Sequence, residues 1–337
     1  MKRRDIIVIA TSTGGLEALK NLCSSWPPDL PASVFVVMHI GARPSILPLI
    51  LQNFCALQVQ HAADGERFEK SVIYIAPPDK HLLLFEDMTL LSRGPKENFT
   101  RPAADPLFRS AAVAYGQRVI GVVLTGDLDD GAAGAKAVQA CGGYVAVQEP
   151  TDCRSPSMPC NALRAVRPDV VLPLSELGAA VVDALESAVD NAHQQDDSTR
   201  KAAEIEARIS RTKQSDTADL DALGMRSSLT CPDCGGVVWR VGNGLPLRYR
   251  CHTGHAFSAI SLADEQRKQW ENAIWQVVRR MEERIVLASE RIEQERVNGG
   301  DVSFLLATLA SFEQAKQSAL SILDDGPMLD VAGNPLP

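Results

Sequence analysis

Residues 5–15, DIIVIATSTGG, limit the fold of this chain more tightly than any other stretch. Ile6 to Ala10 is a continuous apolar run rich in β-branched residues, the composition of a strand buried on both faces of a parallel sheet. Thr11, Ser12 and Thr13 then bring polarity, Gly14-Gly15 supplies a tight turn, and Leu16 to Leu19 resumes with helical spacing. Strand, turn and helix in that order put Ser12 at the carboxyl end of a central strand. Open α/β sheets bind ligands at that edge, and free N–H groups at a helix start stabilise negative charge there. Ala10 to Gly14 approximates the nucleophile elbow G-x-S-x-G, with alanine for the first glycine. A hydroxyl that only caps the first helix gives the same local pattern.

The pattern repeats downstream. Val34 to Ile40 (VFVVMHI) reads as a second buried strand carrying His39 near its end, followed by a helix over SILPLILQNF. Leu57 to His61 and Ser71 to Pro77 read as strands, and HLLLFEDMTLLS as a hairpin turning at Glu86 and Asp87. Asp105 and Pro106 carry the N-cap and N1 chemistry of a helix over LFRSAAVAYG. Arg118 to Thr125 (RVIGVVLT) is the most strand-like run, broken by Gly126-Asp127-Leu128-Asp129-Asp130-Gly131, after which GAAGAKAVQACGG is helical. YVAVQ and VVLP supply two more strands. The fold class is therefore α/β, a doubly wound and mainly parallel sheet. Such a sheet carries Ser12, His39 and Asp130 to one edge. The chain order Ser-His-Asp differs from the Ser-Asp-His order of α/β-hydrolases, so that fold is disfavoured while the roles can recur.

A catalytic core of roughly 190 residues buries about 70% of its unfolded surface and needs no staples. The net charge of -8 argues against a nucleic-acid partner. MKRRD leads directly into a five-residue strand rather than a longer apolar segment, and no run approaches a membrane span, so a cytoplasmic protein without direct membrane insertion is expected. In a reducing compartment the eight cysteines read as packing residues and metal ligands rather than disulfides. Cys23, Cys55, Cys141, Cys153 and Cys160 show no ligand spacing.

Composition shifts after about Ala192, giving a division into 1–192 (catalytic), 193–228 (charged linker), 229–258 (zinc-ribbon-like), 259–325 (helical hairpin) and 326–337 (tail). The linker is short of large apolar residues, with one solvated helix in KAAEIEARISR. Cys231-x₂-Cys234 and Cys251-x₃-His255 have the spacing of a structural zinc ribbon, with His252 a less favoured fourth ligand. The intervening segment fits a β-hairpin about Gly242 to Gly244. Trp270, Ile274, Val277, Met281, Ile285, Ala288 and Ile292 form an apolar stripe on a long helix, and a second helix follows the break at Gly299-Gly300. The two suggest an antiparallel hairpin that packs on itself or on the zinc ribbon, or else a homo-oligomerising or partner-docking module, with Trp270 and Trp275 on different faces.

From about Asp5 to Glu186 the chain resembles the CheB-type protein-glutamate methylesterases of bacterial chemotaxis. The matching motifs are IATSTGG around Ser12, VVMHI around His39, YIAPPDKHLLL around His81, RPAADPLFRSAA from Arg101 and VLTGDLDDGAAG around Asp130. The resemblance implies Ser12 as nucleophile, His39 as base and Asp130 as orienter, with Asp129 in reserve. It implies backbone N–H groups of Thr13 and Asp127 at the oxyanion, with Thr11, His81 and Arg101 supporting the site and Arg101 a candidate for facing an acidic substrate. The implied substrates are glutamate methyl esters on cytoplasmic helices of methylated chemoreceptors, or a related signalling protein. Glutamine deamidation passes through the same tetrahedral intermediate, and no cofactor is needed for catalysis.

Two features depart from the family. After LTG it commonly has methionine and glycine, whereas this chain has Asp127 and Leu128, and a carboxylate beside an oxyanion opposes the developing charge unless it points away or is neutralised. Typical members carry a phosphorylatable receiver ahead of the catalytic domain, whereas four residues precede Asp5, so the expectation is an esterase without control by an attached receiver. The competing readings are a catalytically weak signalling scaffold and a serine esterase for a non-chemotaxis ester.

Overall fold

A computed structural model describes residues 3–187, 196–242 and 244–324. The expected boundary at 192 and the tail at 326–337 lie outside the described residues. The chain runs through β1 (Ile6–Thr11), α1 (Gly15–Ser24), β2 (Ser33–Met38), α2 (Leu47–Gln52), β3 (Gln58–His61), β4 (Glu66–Arg67), β5 (Val72–Ile75), β6 (His81–Phe85) and β7 (Met88–Ser92). It continues with α3 (Ala104–Tyr115), β8 (Val119–Val123), α4 (Ala132–Ala140), β9 (Tyr144–Gln148), α5 (Ser157–Ala165), β10 (Val170–Leu172) and α6 (Leu174–Glu186).

Seven strands pair in the order β10-β9-β8-β1-β2-β5-β3, every pair parallel. All six residues of β1 are buried, because helices cover both faces. Ile6, Val8 and Ala10 pack in one core with Leu107 and Phe108 of α3, whereas Ile7 and Ile9 pack in a second with Leu19 and Leu22 of α1 and Leu177 of α6. Side chains that alternate between two apolar layers explain the unbroken hydrophobic run. From β1 the chain first builds outward through β2, then returns to place β8 on the other side of β1. The crevice beyond the carboxyl ends of β1 and β8 is thus a topological switch point, the favoured ligand position of such sheets. A separate antiparallel sheet of β4, β7 and β6 includes the expected hairpin, and Glu86 and Asp87 turn it with φ of 49° and 60°.

Asp105 does not cap its own helix. α3 begins at Ala104 with Ala103 as N-cap, and Asp105 Oδ1 instead accepts the backbone N–H groups of Gly131 (3.0 Å) and Gly134 (2.7 Å) at the start of α4. A neighbouring helix start within reach wins over the local cap.

Residues read from composition as a solvated linker, 193–228, also fold differently. Their described part forms α7 (Asp197–Thr212), α8 (Thr217–Leu223) and β11 (Gly224–Thr230). α7 packs on α3 and α4 and buries Ala203, Glu206, Ile209 and Ser210. Its inward face is small and charged, so polarity hides its burial; Glu206 takes Arg248 at 2.8 Å and Arg250 at 2.8 Å. β11, β12 (Val237–Val241), β13 (Arg248–Cys251) and β14 (Ala256–Ser258) form a four-stranded antiparallel sheet. β12 and β13 realise the expected hairpin, whose turn residue 243 lies outside the described residues.

The chain divides into two compact units, 1–261 and 262–337. The second is formed by α9 (Ala259–Val297), whose first turn belongs to the first unit, and α10 (Ser303–Asp324). Lys316 bonds Glu282 at 2.8 Å and Arg284 lies 5.4 Å over the Phe312 ring, a pairing that runs antiparallel. The stripe differs from the expectation at two positions: Trp270 is exposed, and Val278 is buried where Val277 is exposed, so the inward face runs Ile274, Val278, Met281, Ile285, Ala288, Ile292. Trp270 and Trp275 are exposed. No helix among the described residues is long and apolar enough to cross a membrane.

Candidate active site

Ser12 follows β1 directly and is held by backbone on both sides. Its N–H donates to Thr125 O (3.0 Å), and its carbonyl accepts the Gly15 N–H (2.8 Å) as α1 begins. Thr11 is fully buried and donates its hydroxyl to the same Thr125 carbonyl at 2.9 Å, so it fastens the β1 and β8 ends together. Gly14 has φ of 80°, and a Cβ there would meet Arg154 Cβ at 2.8 Å. Gly126 is tighter still: a Cβ would lie 2.8 Å from Ser12 Cβ and 2.1 Å from Met158 Sδ. The turn around the hydroxyl therefore requires glycine on each side of it.

His39 comes one residue after β2, with its N–H bonded to Thr11 O at 3.3 Å. Its Nε2 lies 2.7 Å from Asp130 Oδ2, and the imidazole retains partial exposure while Asp130 is buried. Asp130 also accepts the N–H groups of Ala104 (2.6 Å) and Asp105 (3.1 Å) and the Asn98 side-chain amide (3.3 Å). Burial opposes its charge, but the His39 hydrogen bond and charge and the two α3 N–H groups outweigh burial, so its carboxyl lies below the ordinary range. Asp129 faces elsewhere, accepting the Ser258 hydroxyl at 2.7 Å. Burial, followed by the charge of Asp130, pushes its carboxyl up to about 6 despite the Ser258 hydrogen bond. Of the two adjacent aspartates, only Asp130 faces the histidine.

Thr13 and Asp127 flank the serine. Their backbone N–H groups enter no hydrogen bond within the chain among the described residues. The Asp127 carboxylate is held between two hydroxyls, Thr13 Oγ1 at 2.5 Å and Ser155 Oγ. It is thus turned onto donors rather than left bare beside the serine. Leu128, in the position of the family's glycine, adopts a φ of 61°, a strained conformation for a residue with a Cβ.

His81 is 1% exposed and both its nitrogens are committed to backbone: Nε2 donates to Pro95 O (3.0 Å) and Nδ1 accepts the Ala103 N–H (3.2 Å). Burial lowers its pKa, so the ring is neutral and pins the loop 95–103 beneath the site. Arg101 is engaged within the chain. Its guanidinium bonds Asp79 (2.7 Å) and Gly94 O (2.7 Å). Sequence reasoning gives no sign of Asn98 and Ser155, which touch Asp130 and Asp127 from segments without periodic pattern, and it assigns Asp105 to the cap of its own helix rather than of α4.

Away from this site, Cys231, Cys234, Cys251 and His255 offer ligand atoms that all lie within 4.8 Å of one another. Cys234 Sγ is 3.8 Å from Cys251 Sγ, and His255 Nδ1 is 3.7 Å from Cys231 Sγ and 3.5 Å from Cys251 Sγ. Metal–sulfur bonds of ~2.3 Å in a tetrahedron give edges of about 3.8 Å, so the donor set fits a tetrahedral metal. Asp233 lies 3.8 Å from His255 Nε2, as an outer carboxylate. His252 is outside the cluster and rests against Gly236.

A family model described as CheB methylesterase matches residues 7–181. A protein of Leptospira interrogans, provisionally named protein-glutamate methylesterase/protein-glutamine glutaminase, is 37% identical over 51% of this chain and 91% of its own length. A Methanosarcina mazei protein named protein-glutamate methylesterase/protein-glutamine glutaminase 2 is 39% identical over 53% of this chain, which spans about half (51%) of that relative. The crystal structure of the Thermotoga maritima CheB methylesterase catalytic domain superposes with a TM-score of 0.52 at 32% identity, over 54% of this chain and 99% of that domain.

Proposed function

From the premise that the chain belongs to the CheB methylesterase family, we propose that it hydrolyses methyl esters of glutamate side chains on chemoreceptor helices through Ser12, His39 and Asp130. The observation that carries the reading is the 2.7 Å contact between His39 Nε2 and a buried Asp130, at the sheet edge from which Ser12 emerges.

In this mechanism the Ser12 hydroxyl attacks the ester carbonyl while His39 takes its proton through Nδ1, the nitrogen that Asp130 leaves free. Asp130 fixes the tautomer and stabilises the imidazolium. The N–H groups of Thr13 and Asp127 receive the oxyanion. Collapse breaks the bond to methoxide, which leaves as methanol with the proton from His39. Water, deprotonated by His39, then hydrolyses the glutamyl-serine ester and regenerates Ser12. A glutamine side chain follows the same route with ammonia as leaving group. The Thr13 and Ser155 hydroxyls on Asp127 support catalysis over the scaffold reading, because they counter the carboxylate that stands beside the oxyanion.

We assign a structural zinc to Cys231, Cys234, Cys251 and His255, on the donor spacing. Zinc there would supply on the order of 10–16 kcal/mol of binding energy to a small sheet. The exposed Trp270 and Trp275 support self-association or partner docking through the helical pair, which light scattering of the full chain tests. The catalytic reading is tested with a fluorophosphonate probe. Covalent labelling should map to Ser12 and fall by about 10⁴-fold or more in Ser12→Ala and His39→Ala. Undiminished labelling in either variant contradicts it.

A further inference from the structure

Asp130 has two carboxylate oxygens with distinct partners. Oδ2 meets His39 and the Ala104 N–H, whereas Oδ1 meets the Asp105 N–H and Asn98 Nδ2. The rotation of the carboxylate, and hence the direction it offers to the imidazole, is set by the donors on both oxygens. Asn98 is therefore one of three groups, with the Ala104 and Asp105 N–H groups, that aim the acid, and the only side chain among them.

Asn98 is in turn held by residues far along the chain. Its Oδ1 accepts the Ser258 backbone N–H at 3.0 Å and the Ser261 hydroxyl at 3.1 Å. Two donors on that oxygen determine which way the amide faces and leave its NH₂ for Asp130 and for Asp105 Oδ2, at 3.3 Å each. Asn98 is mostly buried with φ of 49°, and its own N–H donates to Ala256 O at 2.8 Å, joining its loop to β14. Ser258 also bonds Asp129, the neighbour of Asp130, and Ser258 and Ser261 bond each other at 3.0 Å. The adjacent Glu97 is clamped by Arg109 of α3 and, at 2.9 Å, by Arg250 of β13.

We propose that the corner where β14 enters α9 is part of the esterase's catalytic apparatus: Ser258 and Ser261 act through Asn98 as positioning residues that orient Asp130 toward His39. The small sheet with the Cys₃His cluster thereby supports the esterase site that lies more than 100 residues earlier in the chain. The inference rests on the triad reading above and assigns to that site a support for its geometry. A misplacement of reacting groups by about 1 Å can lower rates about 100-fold, so modest displacement of this corner changes turnover while the sheet that carries Ser12 stays intact.

The test uses the full chain and Asn98→Ala and Ser261→Ala variants, each verified as folded by near-ultraviolet circular dichroism. Saturation of fluorophosphonate labelling as a function of pH separates the inactivation rate constant from probe affinity. Asn98→Ala should lower the rate constant about 10- to 100-fold with affinity unchanged. Ser261→Ala, which removes one hydroxyl and keeps the asparagine, should lower it about 2- to 10-fold in the same way. In Asn98→Ala the acidic limb of the pH profile should also move to higher pH, because a carboxylate short of a donor holds the imidazolium proton more tightly. If Asn98→Ala does not fold, Ser261→Ala carries the test. No labelling of Ser12 in the unsubstituted chain overturns the triad reading and this inference with it. Normal labelling of that chain, with unchanged rate constants and profiles in the folded variants, overturns this inference alone.

Discussion

Asp130 and Asp105 exchange helix caps: Asp130 accepts the first N–H groups of α3, and Asp105, lying in that helix, accepts those of Gly131 and Gly134 at the start of α4. Each carboxylate thus satisfies the helix that carries or follows the other. The two ends lock together around the acid that faces His39, and two buried carboxylates share one small space. Burial, followed by the charge of Asp130, pushes Asp105 up to about 7.

That pairing has a pH signature. Between the ordinary carboxylate value near 4 and about 7, Asp105 keeps its proton when folded and loses it when unfolded, so its contribution to stability falls as pH rises through this window. Asp105→Asn cannot ionise and retains an acceptor for Gly131 and Gly134. Urea denaturation of both proteins should show Asp105→Asn gaining stability relative to the unsubstituted chain from pH 5 to pH 8. A difference that is the same at both values contradicts the assignment.

The buried ionic cluster of Glu97, Glu206, Arg109, Arg248 and Arg250 ties α7 and the small sheet to the esterase fold. Removing one member leaves buried charges without their counterpart. Glu206→Ala should therefore destabilise the full chain by about 3–5 kcal/mol in urea denaturation, far more than an exposed ion pair would. A loss under about 1 kcal/mol would mean that α7 is not packed as described.

Gly126 tests the fit around Ser12. A methyl group there can displace the Met158 thioether but cannot avoid Ser12 Cβ at 2.8 Å. Gly126→Ala should lower ester turnover about 10- to 100-fold with KM nearly unchanged, because it moves Ser12 rather than the binding surface. Wild-type turnover would contradict the close approach.

Metal removal should act first on the small sheet. The purified chain should release one equivalent of zinc to a strong chelator. With it should go the near-ultraviolet signal of Trp239, whose Nε1 donates to Asp221 at 2.7 Å. Cys231→Ser should bind no zinc. Absence of any bound transition metal, with an unaltered signal after chelation, contradicts the assignment.

The main sheet was legible because strands buried on both faces are continuous apolar runs, and because chemistry collects where such runs stop. Ser12 and His39 each stand one residue past a strand end, and Asp130 lies in the loop between β8 and α4, for that reason. The Asp105 cap was misread because a cap motif is local, while its partner N–H groups belong to another helix. α7 escaped because its buried residues include Glu206 and Ser210, whose side-chain partners from distant segments are Arg248 and Arg250 for Glu206 and Glu97 for Ser210. Val278 replaced Val277 in the α9 stripe because steps of three and four fit both positions, and only packing chooses between them. Asn98 offered no pattern at all: its role exists through Ser258 and Ser261, far away in sequence.

The most direct measurement is methanol release from methylated chemoreceptor, comparing the full chain with Ser12→Ala. Release by the unsubstituted chain that vanishes in the variant is the predicted result. No release from the folded, zinc-loaded chain, or equal release from both proteins, would contradict the account.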